Sequence, residues 1–216
     1  MKKNIYILSG LGADERVFHK MDFSDFNFTH IKWIKPEKGE TIDTYAKRLS
    51  IQITDANPIL IGLSFGGLMA IELSKIIETE KVILLASCKV SKELPFYFRF
   101  SGKLGLHRSM PANTNQLNKA GFILNWFFGA GSNTDKLLLK TIIAETDPDF
   151  FVCAVDKVVT WKNTAQLKNI FQIHGTADRI FPCRFVQPDI KIKGAGHFLT
   201  LTHATQISQM IREICS

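Results

Sequence analysis

The sequence predicts an α/β domain, a mostly parallel sheet of about six strands with flanking helices on both faces. Three observations carry this. Short, continuous Val/Ile/Leu runs recur along the chain, the pattern of strands buried on both faces. Stretches with apolar residues at helical spacing alternate with them, the rhythm of β-α-β crossovers. That rhythm breaks once, from about residue 89 to 164, where no strand-like run occurs and aromatic residues such as Phe96, Phe100, Trp126, Phe128, Phe151 and Trp161 crowd in. The break predicts a helical insertion laid over the sheet.

Each element has its own justification. Asn4–Leu8 is an apolar run ending in Ser9-Gly10-Leu11-Gly12, a buried strand entering a glycine turn. His30–Ile34 alternates and stops before Pro36, which predicts a second strand. Thr41 opens a helix that reaches about Ile53. Asn57–Gly62 is a third strand, followed by a helix from Gly67 to about Ile77. Lys81–Ala86, Asn169–His174 and the short Asp189–Ile192 supply the remaining strands, and a helix from His203 to about Ile214 follows. Inside the insertion, Asp147-Pro148 pairs an N-cap residue with proline at the first helical position, opening a helix through about Val159.

Composition narrows the function classes. At 216 residues, 45% hydrophobic and 22% charged, the chain is an ordinary globular domain, neither disordered nor fibrous. No apolar run approaches the roughly 18–20 residues of a membrane-spanning helix. The N-terminal apolar stretch stops after about four residues, short of the ~7–15 of a secretory signal, so it reads as a strand of a cytoplasmic protein. Four cysteines lie far apart without a CxxC, which argues against both a disulfide framework and a zinc site, and no histidine cluster suggests another metal. The net charge of +7 is scattered along the chain and accompanies no nucleic-acid-binding motif; it reads as a solvated basic surface.

The strongest chemical signal is Gly62-Leu63-Ser64-Phe65-Gly66 between a predicted strand and a predicted helix. A serine on so sharp a turn is exposed at the carboxyl edge of the sheet, and bulk two positions before or after it would collide with the turn. A serine hydroxyl needs a base, and that base needs an orienting acid. His197 follows the last strand in Gly194-Ala195-Gly196-His197-Phe198, and Asp178 follows the fifth in His174-Gly175-Thr176-Ala177-Asp178. Parallel strands point all such ends to one edge, and the chain order Ser64, Asp178, His197 matches a serine–acid–histidine pattern. Glu93, after the fourth strand, is the other carboxylate weighed for the acid. Two backbone N–H donors for an oxyanion are expected from Phe65, the residue after the serine, and from Leu11, with Gly12 as the fallback.

Together these residues resemble the α/β-hydrolase superfamily over about residues 4–88 and 165–214. The resemblance implies a core formed by residues 1–88 and 165–216, with residues 89–164 as a helical cap shaping the pocket. Three departures accompany it. The chain starts at what would be the family's third strand, so the leading hairpin is absent and six strands remain. Ser9-Gly10 stands where the oxyanion loop usually carries His-Gly. Little chain separates Asp178 from His197, where the family carries a helix. The implied activity is a serine hydrolase that opens a small carboxylic ester or thioester through an acyl-enzyme on Ser64, with a small-molecule acyl substrate and no cofactor. A carbon–carbon bond hydrolase or lyase on the same triad, or a ligand-sensing binding protein that retains it, stays open, since one fold hosts many chemistries.

Overall fold

The computed structural model describes residues 2–106 and 121–216. Its strands are β1 (Asn4–Leu8), β2 (Asn27–His30), β3 (Ile59–Leu63), β4 (Lys81–Leu85), β5 (Ile170–Gly175) and β6 (Ile190–Ile192). They form one sheet in the order β2-β1-β3-β4-β5-β6, and every neighbouring pair is parallel. The fold class matches the expectation drawn from the apolar runs.

Those runs are continuous because successive side chains serve opposite cores. Ile5, Ile7, Ile59, Ile61, Ile83 and Ile173 pack on one face, while Tyr6, Leu8, Leu60, Val82 and Leu84 pack on the other. Helices α1 (Ile42–Leu49) and α2 (Phe65–Leu73) cover the second face through Tyr45, Leu49, Leu68 and Met69. The first face is covered by the short α7 (Leu199–Thr202) and by α8 (Ala204–Cys215), through Leu199, Ile207 and Ile211. Every residue of α2 is buried, which explains why the helix is apolar on all sides except at Glu72, whose carboxylate accepts from Trp161 Nε1 and Lys75 Nζ, both at 2.7 Å.

Four helices lie between β4 and β5 among the described residues: α3 (Phe96–Leu104), α4 (Gly121–Phe128), α5 (Asn133–Glu145) and α6 (Pro148–Thr160). Asp147 caps α6 as anticipated, its Oδ1 accepting from the Phe150 N–H at 2.8 Å. Helix α5 starts on a reciprocal box in which Ser132 and Asp135 each bond the other's backbone N–H. Helix α3 crosses α6 so tightly that a Cβ on Gly102 would sit 2.1 Å from the Val159 carbonyl oxygen. Among the described residues, no helix is long and apolar enough to cross a membrane.

The second strand departs from the expected position. It runs over Asn27–His30, and the Ile31 N–H makes one last bond to Ile7 O at 2.9 Å before the chain leaves the sheet. β2 is an exposed edge, so burial left no apolar signature on it. The alternation read at His30–Ile34 arises instead from Ile31 and Trp33 dipping into the core as the chain crosses the end of the sheet. There Trp33 stacks on Tyr45, with ring centroids 6.5 Å apart.

Candidate active site

Ser64 occupies the turn between β3 and α2 with φ 54° and ψ −119°, a backbone conformation that L-residues rarely hold. Close packing imposes it. A Cβ on Gly62 would lie 2.3 Å from the Gly66 carbonyl oxygen, and one on Gly66 would lie 2.3 Å from the carbonyl oxygens of both Leu8 and Ser9. The turn is pinned from β4 as well. The Ser64 N–H donates to Leu85 O at 2.9 Å, and the Ser87 hydroxyl donates to Ser64 O at 2.7 Å.

The structure brings the three side chains singled out in the sequence into one hydrogen-bonded chain. His197 Nε2 lies 2.8 Å from Ser64 Oγ, and His197 Nδ1 lies 2.8 Å from Asp178 Oδ2. A carboxylate facing Nδ1 fixes the proton there, leaving Nε2 as the acceptor for the serine O–H. The other carboxylate oxygen of Asp178 accepts the N–H groups of Ile180 at 2.8 Å and Phe181 at 2.9 Å. Burial pushes the Asp178 carboxyl up, but attraction to His197, the bond from it and the Phe181 amide outweigh that and hold it below the usual carboxylate value.

The imidazole is boxed in by rings. Phe128 and Phe181 meet it edge-on, with centroids 5.7 Å and 5.5 Å away. The acid and histidine loops need no helix between them because they bond directly. Ala177 N–H donates to Ala195 O at 2.9 Å and Thr176 N–H to Ile192 O at 3.0 Å, and Gly175 packs so close that a Cβ there would meet Ala195 O at 2.2 Å.

Glu93 does not join this chain. Its carboxylate accepts from Lys89 N–H at 2.6 Å, from Gln172 Nε2 at 3.2 Å and from Gln187 N–H at 3.3 Å, tying two loop segments to β5. His174 lies behind Asp178, fully buried, with Nε2 donating to Phe181 O at 2.8 Å. Burial holds its imidazole below the ordinary histidine value.

Leu11 and Phe65 both border the cavity above Ser64. Phe65 opens α2, where the first N–H groups lack helical partners. Among the described residues neither its N–H nor that of Leu11 donates to another protein group. Leu11 belongs to a turn closed by Ala13 N–H to Gly10 O at 3.0 Å, and a Cβ on Gly10 would be only 3.5 Å from Ser64 Cβ.

Two residues the sequence reading missed hold that turn. Trp33 Nε1–H lies 3.0 Å from Ser9 Oγ and 3.1 Å from Ala13 O, and Ser9 Oγ donates to Ala13 O at 2.6 Å. From the other side, Thr146 Oγ1 lies 2.8 Å from the carbonyl oxygens of both Gly12 and Ile142 and shares its proton between them. Trp33 had read as a strand residue, and no local signal marked Thr146.

No protein-family model matches the sequence, and no curated protein matches it significantly. Solved structures match over their length. A hydrolase from Pseudomonas aeruginosa superposes with a TM-score of 0.76 at 13% identity, covering 100% of this chain and 90% of that one. An enol-lactonase from Burkholderia xenovorans gives 0.72 at 14% identity, covering 100% and 92%. A lipase-esterase related protein from Clostridium acetobutylicum also gives 0.72, at 18% identity, covering 98% and 94%. The chain has the α/β-hydrolase fold.

In this α/β-hydrolase fold, Ser64 and His197 open onto a cavity of about 350 Å³. Its walls are apolar, including Phe98 from α3, Phe128 from α4, Leu139 and Ile142 from α5, and Phe151 and Val155 from α6. Besides Ser64 and His197, Ser101 and Thr146 are the polar side chains among its described lining residues.

Proposed function

We propose that this chain is a serine hydrolase cleaving a small, apolar carboxylic ester or thioester through an acyl-enzyme on Ser64. The observation that carries the reading is the Asp178–His197–Ser64 chain of two 2.8 Å bonds ending in an apolar-walled cavity. His197 Nε2 takes the serine proton as Oγ attacks the carbonyl carbon, and Asp178 stabilises the resulting imidazolium. The amides of Leu11 and Phe65 receive the oxyanion, where preformed donors in a water-poor site are worth several kcal/mol, about 3 each by typical mutational loss. His197 then protonates the leaving alcohol or thiol, and a water deprotonated by the same imidazole releases the acid.

Residues 89–164 act in this reading as a cap, because their helices supply most of the apolar wall around the acyl group. The neighbours named as an enol-lactonase and a lipase-esterase related protein favour an ester carbonyl over other electrophiles. The four unpaired cysteines suit a cytoplasmic location.

A panel of p-nitrophenyl esters of increasing acyl length tests the reading. Turnover is expected for apolar acyl groups and is abolished in Ser64→Ala. Val155→Trp, which fills the cavity wall, shifts preference towards shorter chains. Absence of turnover across the panel in a folded protein that still reacts with a fluorophosphonate would move the chemistry away from esters.

A further inference from the structure

A second imidazole lies against the carboxylate that faces His197. His174, the penultimate residue of β5, is 0% exposed. Its Nε2 lies 3.4 Å from Asp178 Oδ2, the same oxygen that meets His197 Nδ1 at 2.8 Å. The His174 hydrogen bond goes elsewhere, to Phe181 O at 2.8 Å. A carbonyl oxygen can only accept, so Nε2 carries the proton.

The far side of this ring is equally telling. Nδ1 is buried and has no hydrogen-bond partner among the described residues. A second proton placed there would have no acceptor, and a buried charge without one is costly. Glu93 and Asp178 favour a charge on this ring and His197 opposes one, but burial decides the balance and keeps it neutral.

The residue that His174 holds serves the site twice. Phe181 N–H donates to Asp178 Oδ1 at 2.9 Å, beside that of Ile180 at 2.8 Å. The Phe181 ring meets His197 edge-on, with centroids 5.5 Å apart. One imidazole N–H therefore ties the end of β5 to the segment that grips the carboxylate and packs on the His197 ring. Neutrality matters as much as the bond. A cation 3.4 Å from Oδ2 would draw on the negative charge that stabilises the His197 imidazolium.

We propose that His174 is a positioning residue for the orienting acid. Its Nε2–H fixes Phe181, so that Asp178 is held through Oδ1 and presents Oδ2 to His197 alone. The inference rests on the reading of Asp178, His197 and Ser64 as a working triad. His174 is not among the described residues lining the cavity above Ser64, so its effect falls on the chemical step rather than on substrate binding.

Two variants test this. His174→Leu removes the donor, and His174→Gln carries an amide N–H to the place of Nε2. On one p-nitrophenyl ester, His174→Leu is expected to lower kcat by about tenfold with KM unchanged, and His174→Gln to keep most of the rate. In an Asp178→Asn background the leucine change is expected to cost less than about twofold, because the carboxylate it serves is already gone. The low-field proton NMR resonance of the His197–Asp178 bond needs no substrate; it moves in His174→Leu and stays in place in His174→Gln. Equal losses in both backgrounds, a loss in KM alone, or a glutamine variant as slow as the leucine one overturn the proposal. A native chain inert to esters and to a fluorophosphonate rejects the triad reading instead, and the proton resonance then decides the place of His174, an unmoved signal in His174→Leu refuting it. If His174→Leu does not fold, the histidine nitrogen NMR spectrum of the native chain decides. A neutral ring protonated on Nε2 at neutral pH supports the proposal, and a proton on Nδ1 overturns it.

Discussion

The hydroxyl of Thr146 lies 2.8 Å from the carbonyl oxygen of Gly12, joining positions 134 residues apart. It links the end of α5 to the turn that carries the Leu11 amide. Gly12 is held at φ +69°, where a Cβ would meet Thr146 Oγ1 at 2.6 Å, so the contact leaves no room for a larger residue.

Thr146→Val keeps the side-chain shape but removes the proton that holds Gly12. A hydrogen bond of ordinary net worth predicts kcat lower by about 3- to 10-fold, with KM little changed. Thr146→Ser restores the hydroxyl and most of the rate. Steady-state kinetics on one ester checks the split, and a loss confined to KM would remove Thr146 from the positioning of the turn.

Asp178→Asn leaves the fold intact, because the amide oxygen still accepts from Ile180 and Phe181. The same change removes the charge that selects the His197 tautomer. Turnover is expected to fall by about 10³- to 10⁴-fold, with the circular dichroism spectrum unchanged. Activity within tenfold of the native chain would place the orienting acid elsewhere.

Gly66→Ala forces a Cβ to within 2.3 Å of two backbone oxygens, those of Leu8 and Ser9, neither of which can rotate away. The expected cost is at least about 3 kcal/mol, a drop in Tm of roughly 6–12 °C for a chain of this size. Gly10→Ala meets only ordinary contacts, the nearest at 3.5 Å, and should cost under about 1 kcal/mol. Thermal melts of the two variants side by side test the contrast.

Acidification should weaken the fold through its buried histidines. Burial holds His30 and His174 below the ordinary value, so on descending through about pH 6.5 the unfolded chain binds protons that the folded chain refuses. Stability therefore falls between pH 7 and 5, by at most about 1.4 kcal/mol per pH unit for each histidine. Asp178 acts in the same sense but in a lower pH window. Its lowered carboxyl contributes stability above about pH 3.9 that is lost only as pH falls towards the folded value. Urea titrations at several pH values measure the slope, which His174→Gln should make shallower; identical slopes would refute the assignment.

Much of this molecule was legible because two signals were local. The strands of the sheet interior are Val/Ile/Leu runs, since each serves two cores, and the serine turn is spelled out by Gly62 and Gly66, whose missing side chains leave room for neighbouring backbone. Chain order alone pointed to Asp178 and His197, because a parallel sheet gathers such loops at one edge. The edge strand β2 escaped because exposure erased its pattern, and Ile31 and Trp33 imitated a strand while crossing the end of the sheet. Trp33 and Thr146 escaped for another reason. Each acts on the Gly10–Ala13 turn only once distant segments have met, and no neighbouring residue in the chain records that meeting.

The imidazole that bonds Ser64 lies 133 positions after it in the chain. During synthesis, which proceeds from the N-terminus, the alcohol emerges long before its base, so a nascent or prematurely terminated polypeptide carries an unactivated serine. In the proposed mechanism, activation of Ser64 therefore has to wait until the chain has been made at least as far as His197.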